Sequence, residues 1–182
     1  MVNGQMQRIA FLDRDGVINQ QLMQNGKPRS PKNLTEIKIL GGVVQAVLVL
    51  KAENFVPVIV TNQPDVARGL TTLENVMEIN REICEKIGVE YVFMCPHDDS
   101  DLCNCRKPLN GLLTSAGKKL EIPLRNCIMV GDRLTDVEAG LSIGAKCYLI
   151  DHSESPIKSA LPFIKVGSLL DAAMKERIKA DG

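Results

Sequence analysis

The sequence has no tryptophan, two tyrosines and four phenylalanines among 182 residues, so aromatics amount to 3%. Single-stranded nucleic acid is held on aromatic stacking platforms, and this chain has little to build them from. Neither sign of charge is in excess: 22 Lys and Arg balance 22 Asp and Glu. That balance argues against an extended surface for nucleic acid or anionic lipid, while leaving room for a local basic pocket. No apolar run is long enough to span a bilayer. Residues 1–8 carry no signal-peptide core, so a cytoplasmic location is expected. What is present is ordinary for a globular chain: 45% hydrophobic and 24% charged residues. The length suits one domain over 1–182, whose core can bury about 70% of the unfolded chain's surface. A monomer is the working expectation.

Apolar and amphipathic stretches alternate along the whole length. Strands are expected at 8–12, 56–60, 90–94, 127–130 and 146–150. Helices are expected at 43–51, 72–87, 109–120, 135–143 and 168–178, the second capped by Thr71 or Thr72 and stopped by Gly88. Ile79, Ile83 and Ile87, like Val43, Val47 and Leu50, recur at helical spacing and read as core. Short strands alternating with helices of ten residues or more predict an α/β fold: a mainly parallel sheet between two helical layers, with no loop-rich stretch long enough to fold as a separate cap domain. Residues 19–38 and 95–108 read as loops. Ligands of such a fold sit outside the carboxyl ends of the strands.

The chemistry-bearing residues fall at those ends. Asp13-Arg14-Asp15-Gly16 follows the first strand, Thr61-Asn62-Gln63 the second, Arg106-Lys107-Pro108 the third, and Gly131-Asp132-Arg133 with Asp136 the fourth. Two carboxylates two residues apart repel unless a cation or a proton joins them. With Asp132 as a third oxygen ligand, and water and phosphate completing an octahedron, the set suits Mg²⁺. Asp13 and Asp15 alone could be solvated loop acids; Thr61, Lys107 and Asp132 at matching strand ends weigh against that. Asp136 could serve the metal's water shell or Lys107, or simply favour a helix N-terminus.

Six cysteines could form three disulfides, a poor reading in a reducing compartment. Cys84, Cys127 and Cys147 lie singly in apolar surroundings and read as core. Cys95, His97, Cys103 and Cys105 crowd into eleven residues. Three thiols and one imidazole match a closed, tetrahedral structural Zn²⁺ site with no position left for water. Four ligand groups within eleven residues weigh against a metal-free thiol loop, and a redox pair at Cys103 and Cys105 would leave Cys95 and His97 unexplained. His152 follows a strand near the presumed active edge; Lys27 and Arg29 either approach the substrate or belong to a solvated loop.

The four strand-end motifs, in this order and spacing, resemble the haloacid dehalogenase (HAD) superfamily of phosphotransferases over roughly residues 8–150. The resemblance implies that Asp13 is the nucleophile forming an aspartyl-phosphate and that Asp15 is the general acid and base. It implies that Thr61 and Lys107 hold the phosphoryl oxygens, and that Mg²⁺ is bound by Asp13, the backbone carbonyl of Asp15, and Asp132. The Cys95-Pro96-His97 and Cys103-Asn104-Cys105-Arg106-Lys107-Pro108 segments are similar to a narrower group, the heptose 1,7-bisphosphate and histidinol-phosphate phosphatases. Within it, Asn62, Gln63, Arg106 and Arg133 would contact substrate. Departures from the pattern are Pro64-Asp65 and residues 20–25. Arg106 and Arg133 lie beside the reacting phosphate without an assigned anion, which favours a small bisphosphorylated sugar. Histidinol phosphate is the enzyme alternative; a zinc-stabilised binding module is the alternative outside catalysis.

Overall fold

The structure, a computed structural model, describes residues 6–151 and 159–177. In chain order it contains β1 (Arg8–Leu12), β2 (Leu22–Gln24), β3 (Lys27–Arg29), α1 (Val43–Ala52), β4 (Phe55–Asn62), α2 (Leu73–Ile87), β5 (Tyr91–Cys95), α3 (Gly111–Leu120), β6 (Ile128–Gly131), α4 (Leu134–Ser142), β7 (Lys146–Ile150), β8 (Ile164–Val166) and α5 (Leu169–Arg177). Among the described residues no helix is long and apolar enough to cross a membrane. His152 and the end of the last expected helix, at 178, lie outside the described residues.

Six strands form one sheet in the order β5-β4-β1-β6-β7-β8. Every neighbouring pair in it is parallel. The side-chain period of two sends alternate residues of β1 to opposite faces. Ala10 and Leu12 join a core with α1, α2 and α5; Ile9 and Phe11 join another with α3 and α4. Both layers are fully buried at β1, which explains why that strand reads as a continuous apolar run. From β1 the chain first builds outward through β4 and β5, then crosses back to β6 on the other side. The crevice at this reversal lies at the carboxyl end of β1, where Asp13 follows.

The expected helices form with local reasons intact. Thr72 Oγ1 accepts the Asn75 N–H at 3.1 Å, and Gly88, at φ +70°, ends α2 in a left-handed conformation. Ile79, Ile83 and Ile87 are buried along it, as are Val43, Val47 and Leu50 along α1. Cys127 and Cys147 are buried and Cys84 partly so. Residues 19–38 are not wholly loop: β2 and β3 pair as a hairpin about Asn25-Gly26, with φ of +52° and +72°. Asn-Gly is a strong signal for such a turn, but three-residue arms are too short to show alternation. The same brevity hid β8.

Candidate active site

Asp13 leaves β1 with its N–H donating to the Val130 carbonyl at 2.9 Å, so the carboxyl ends of β1 and β6 stay joined where the chain exits the sheet. Lys107 reaches it from the loop after β5. Its Nζ donates to Asp13 Oδ1 at 2.7 Å and to the Val60 carbonyl at 2.9 Å, and pairs with Asp136 Oδ1 at 2.5 Å. All three side chains are buried. Burial alone would lower the lysine's pKa, but the charges of Asp13 and Asp136 outweigh it and raise it above the ordinary value. Asp13 is pushed up to about 6: burial raises it, Lys107 pulls it back, and Asp136 and Asp15 push it up again.

Asp132 approaches from the end of β6. A Cβ on Gly16, whose φ is +94°, would lie 2.1 Å from Asp132 Oδ2, so only glycine admits this carboxylate beside the Asp15-Gly16 turn. Asp132 Oδ1 is buried without a hydrogen-bond partner among the described residues. Burial first, then Asp13 and Asp136, push its carboxyl up to about 7. One carboxylate oxygen each from Asp13, Asp132 and Asp136 lie within 4.8 Å of one another. An orphaned oxygen in a dry, mutually repelling carboxylate group is the environment a hard divalent cation satisfies. Asp136, left open between metal and lysine by the sequence, pairs with Lys107 while lying in this carboxylate group, and its Oδ2 also accepts the Arg133 N–H at 3.1 Å.

Asp15 behaves differently from its neighbours, and its carboxylate stands apart from that group. It accepts from Arg14 through Nε at 3.2 Å and Nη2 at 2.7 Å, from Ser30 Oγ at 2.7 Å and from Gln63 Nε2 at 3.1 Å. Burial would raise its pKa; the Arg14 charge and these hydrogen bonds outweigh that and hold it below the ordinary value. Sequence reasoning missed Arg14, Ser30 and Asn80 around it, although a lone polar Asn80 among the isoleucines of α2 was a legible signal.

Asn62 and Gln63, expected on the substrate, make contacts within the site, and Asn62 also lines the cavity above it. Asn62 clamps the Lys107 backbone from both sides, its Nδ2 donating to the carbonyl at 3.0 Å and its Oδ1 accepting the N–H at 3.1 Å. Gln63 is buried and ties Asp15 to Thr61, donating to Thr61 Oγ1 at 2.8 Å. A cavity of about 810 Å³ opens over Asp13, Asp15, Thr61 and Lys107 and is lined further out by Lys27, Arg29, Lys32, Arg68, Arg106 and Arg133. Arg29 is already forked onto Glu36 at 2.7 and 2.8 Å. Arg106 is not without an anion: Nε pairs with Asp99 Oδ1 at 2.6 Å. Arg133 is largely exposed, with Asp132 at 3.9 Å.

Cys95, His97, Cys103 and Cys105 converge beside this loop. Sulfur–sulfur distances are 3.1, 3.5 and 3.6 Å, and His97 Nδ1 lies 3.3 Å from Cys105 Sγ and 3.5 Å from Cys95 Sγ. A tetrahedron with metal–sulfur bonds of about 2.3 Å has edges of about 3.8 Å, so the four atoms need open only slightly around one zinc ion.

A parallel α/β sheet that presents acid groups and one buried lysine at its switch point defines a HAD-like hydrolase. The HAD-hydrolase-like family profile matches residues 104–159. The D-glycero-β-D-manno-heptose-1,7-bisphosphate 7-phosphatase of Bordetella bronchiseptica is 34% identical over 148 residues, covering 79% of this chain and 80% of that one. The enzyme of the same name from Haemophilus influenzae is 30% identical over 163 residues, 84% of this chain and 85% of that one. Among solved structures, the D,D-heptose 1,7-bisphosphate phosphatase of B. bronchiseptica, complexed with magnesium and phosphate, superposes with a TM-score of 0.82 at 28% identity, over 96% of this chain and 99% of that one. The chain belongs to the heptose-bisphosphate phosphatase family of the HAD-like hydrolases.

Proposed function

We propose that this protein removes the 7-phosphate of D-glycero-D-manno-heptose 1,7-bisphosphate through an aspartyl-phosphate on Asp13. The observation that carries this is the Lys107–Asp13 pair, set directly behind the Cys95/His97/Cys103/Cys105 cluster in a family of that activity. Asp13, Asp132 and the Asp15 carbonyl would hold Mg²⁺, which supplies charge compensation for the phosphoryl oxygens and keeps the carboxylates ionised. Asp13 attacks phosphorus while Asp15, ionised in the free protein and taking up a proton when the anionic substrate binds, gives that proton to the leaving sugar oxygen. Water then attacks the aspartyl-phosphate, Asp15 takes a proton from it, and inorganic phosphate and Asp13 are released. Lys107 and Thr61 hold the phosphoryl oxygens in line for both displacements. The Cys/His cluster, holding Zn²⁺, would fix residues 95–105 and so the placement of Arg106 and Lys107.

Arg106 is the residue we assign to the distal phosphate. Asp99, whose side chain is 82% exposed, is its present partner and can return to water at little cost. The test compares heptose 1,7-bisphosphate, heptose 7-phosphate and histidinol phosphate by kcat/KM, with and without Arg106→Ala. The bisphosphate should lead. Losing Arg106 should cost it about ten- to a hundredfold, the worth of one charge-assisted contact, while sparing the monophosphate. A tenfold preference for histidinol phosphate, or an equal loss on all three substrates, would overturn the heptose reading.

A further inference from the structure

Arg14 is fully buried, the largest such side chain among the described residues. A buried guanidinium persists only where its donors are matched, and the partners chosen for it are informative. Its Nε and Nη2 fork onto the two oxygens of Asp15. Its Nη1 donates to Asn80 Oδ1 at 2.7 Å. Asn80 sits on α2 between Ile79 and Ile83, in a stripe otherwise given to the core, and is itself 3% exposed. The guanidinium is therefore gripped from behind by a rigid helix and presents a fixed planar edge to Asp15.

The donors around Asp15 are distributed unequally. Oδ2 accepts from Arg14 Nη2, Ser30 Oγ and Gln63 Nε2. Oδ1 accepts only the 3.2 Å contact from Arg14 Nε among these bonds. A carboxylate oxygen offers two lone-pair sites, so Oδ2 is saturated and Oδ1 retains capacity. We propose that Arg14, braced by Asn80, is the positioning residue of Asp15, fixing its carboxyl so that Oδ1 is the oxygen that exchanges the proton. This rests on the reading of Asp15 as general acid and base. In the first half-reaction the Asp13–phosphorus bond forms, the phosphorus–sugar oxygen bond breaks, and the proton passes from Oδ1 to that oxygen. In the second, water's oxygen bonds phosphorus, the Asp13–phosphorus bond breaks, and water's proton passes to Oδ1.

A leaving group separates this role from a structural one. A sugar alkoxide must be protonated as it departs; nitrophenolate departs as the anion. Arg14→Met should lower kcat/KM on heptose bisphosphate about 100-fold, the lower end of what a positioned proton donor contributes, and on p-nitrophenyl phosphate less than about fivefold. KM should change little. Asn80→Ala, which keeps the Arg14 charge but removes its brace, should show the same bias to a smaller extent, and it decides the matter alone if Arg14→Met does not fold. Arg14→Lys keeps the charge without the fork and should not restore the sugar-phosphate rate. Asp15→Ala is the reference. If it shows the leaving-group bias and the Arg14 and Asn80 variants slow both substrates equally, or if Arg14→Lys is fully active, the positioning role is wrong. If Asp15→Ala itself shows no bias, the acid–base reading of Asp15 falls, and this proposal with it.

Discussion

Lys107 Nζ and Asp13 Oδ1 meet at 2.7 Å across 94 residues of chain. The contact joins the two strand ends that flank β4, and it is secured at both ends. Asn62 fixes the lysine backbone, and the Asp13 N–H bonds the Val130 carbonyl of β6. Asp136 supplies a second anion to the same ammonium. One cation therefore holds Asp13 and the first turn of α4 together.

Lys107→Met removes that cation and leaves Asp13 and Asp136 buried with like charge. Truncating one member of a buried pair costs about 3–5 kcal/mol, so the melting temperature of the metal-free protein should drop clearly. Loss of a preorganised donor to the phosphoryl oxygens should lower kcat/KM by about 10²–10³. A variant with near-native turnover would show that Lys107 does not position the reacting phosphate.

Asp13→Asn keeps shape and burial but replaces the carboxylate proposed as nucleophile with an amide. Turnover should fall to background, while melting remains cooperative and the Cys/His cluster is unaffected. The assay is phosphate release from heptose bisphosphate with Mg²⁺. Because Asp13 is pushed up by burial and Asp136, the substitution also relieves repulsion, so the metal-free variant should be no less stable than the native chain.

How far the sequence reaches is decided by length and by spacing. β1 and its Asp13-Arg14-Asp15-Gly16 turn were legible because a buried parallel strand is a continuous apolar run ending in an abrupt change of chemistry. Helix α2 was legible through Thr72, Gly88 and its isoleucine stripe. The β2–β3 hairpin and β8 were not, since three residues cannot display a period of two. Within the site, the residue types at strand ends were visible, but their partners were not. Asn62 and Gln63 look like substrate ligands in a motif; the fold adds their bonds to Lys107, Asp15 and Thr61, which no motif displays. Arg106 looks unpaired until Asp99, seven residues earlier, is brought to it by the turn of the Cys/His loop.

That loop gives a compositional prediction. Purified from metal-replete medium, the protein should contain about one zinc per chain, retained when Mg²⁺ is removed. Burial would raise the Cys103 thiol, yet the backbone N–H groups of Arg106 and Cys105 bring it down to about 6, where it is a ready thiolate ligand. Cys105→Ser should lose the zinc and melt at lower temperature. With Arg106 and Lys107 no longer fixed, kcat/KM should fall by about 10²-fold, the cost of misplacing a catalytic group by about 1 Å. Zinc-free protein with native stability and activity would refute a structural ion.

Asp13 lies at about 6 and Asp132 at about 7 in the folded protein, both above the ordinary 3.8. Between those limits the unfolded chain has released protons that the folded, metal-free chain still holds. Stability must therefore fall as pH rises through this window and level off above about 7. Asp15, held below 3.8, has the opposite sign, and its contribution is lost only on further acidification. Mg²⁺ needs the ionised carboxylates, so its binding competes with those protons and stabilises the folded state by mass action. The Mg²⁺-induced rise in melting temperature should be small near pH 5, grow through the values of Asp13 and Asp132, and be complete near pH 8. Asp132→Asn should flatten both the metal-free slope and the Mg²⁺ response. Calorimetry over this range, with and without Mg²⁺, is the measurement. A Mg²⁺ effect of constant size from pH 5 to pH 8 would exclude these two carboxylates as the metal's ligands.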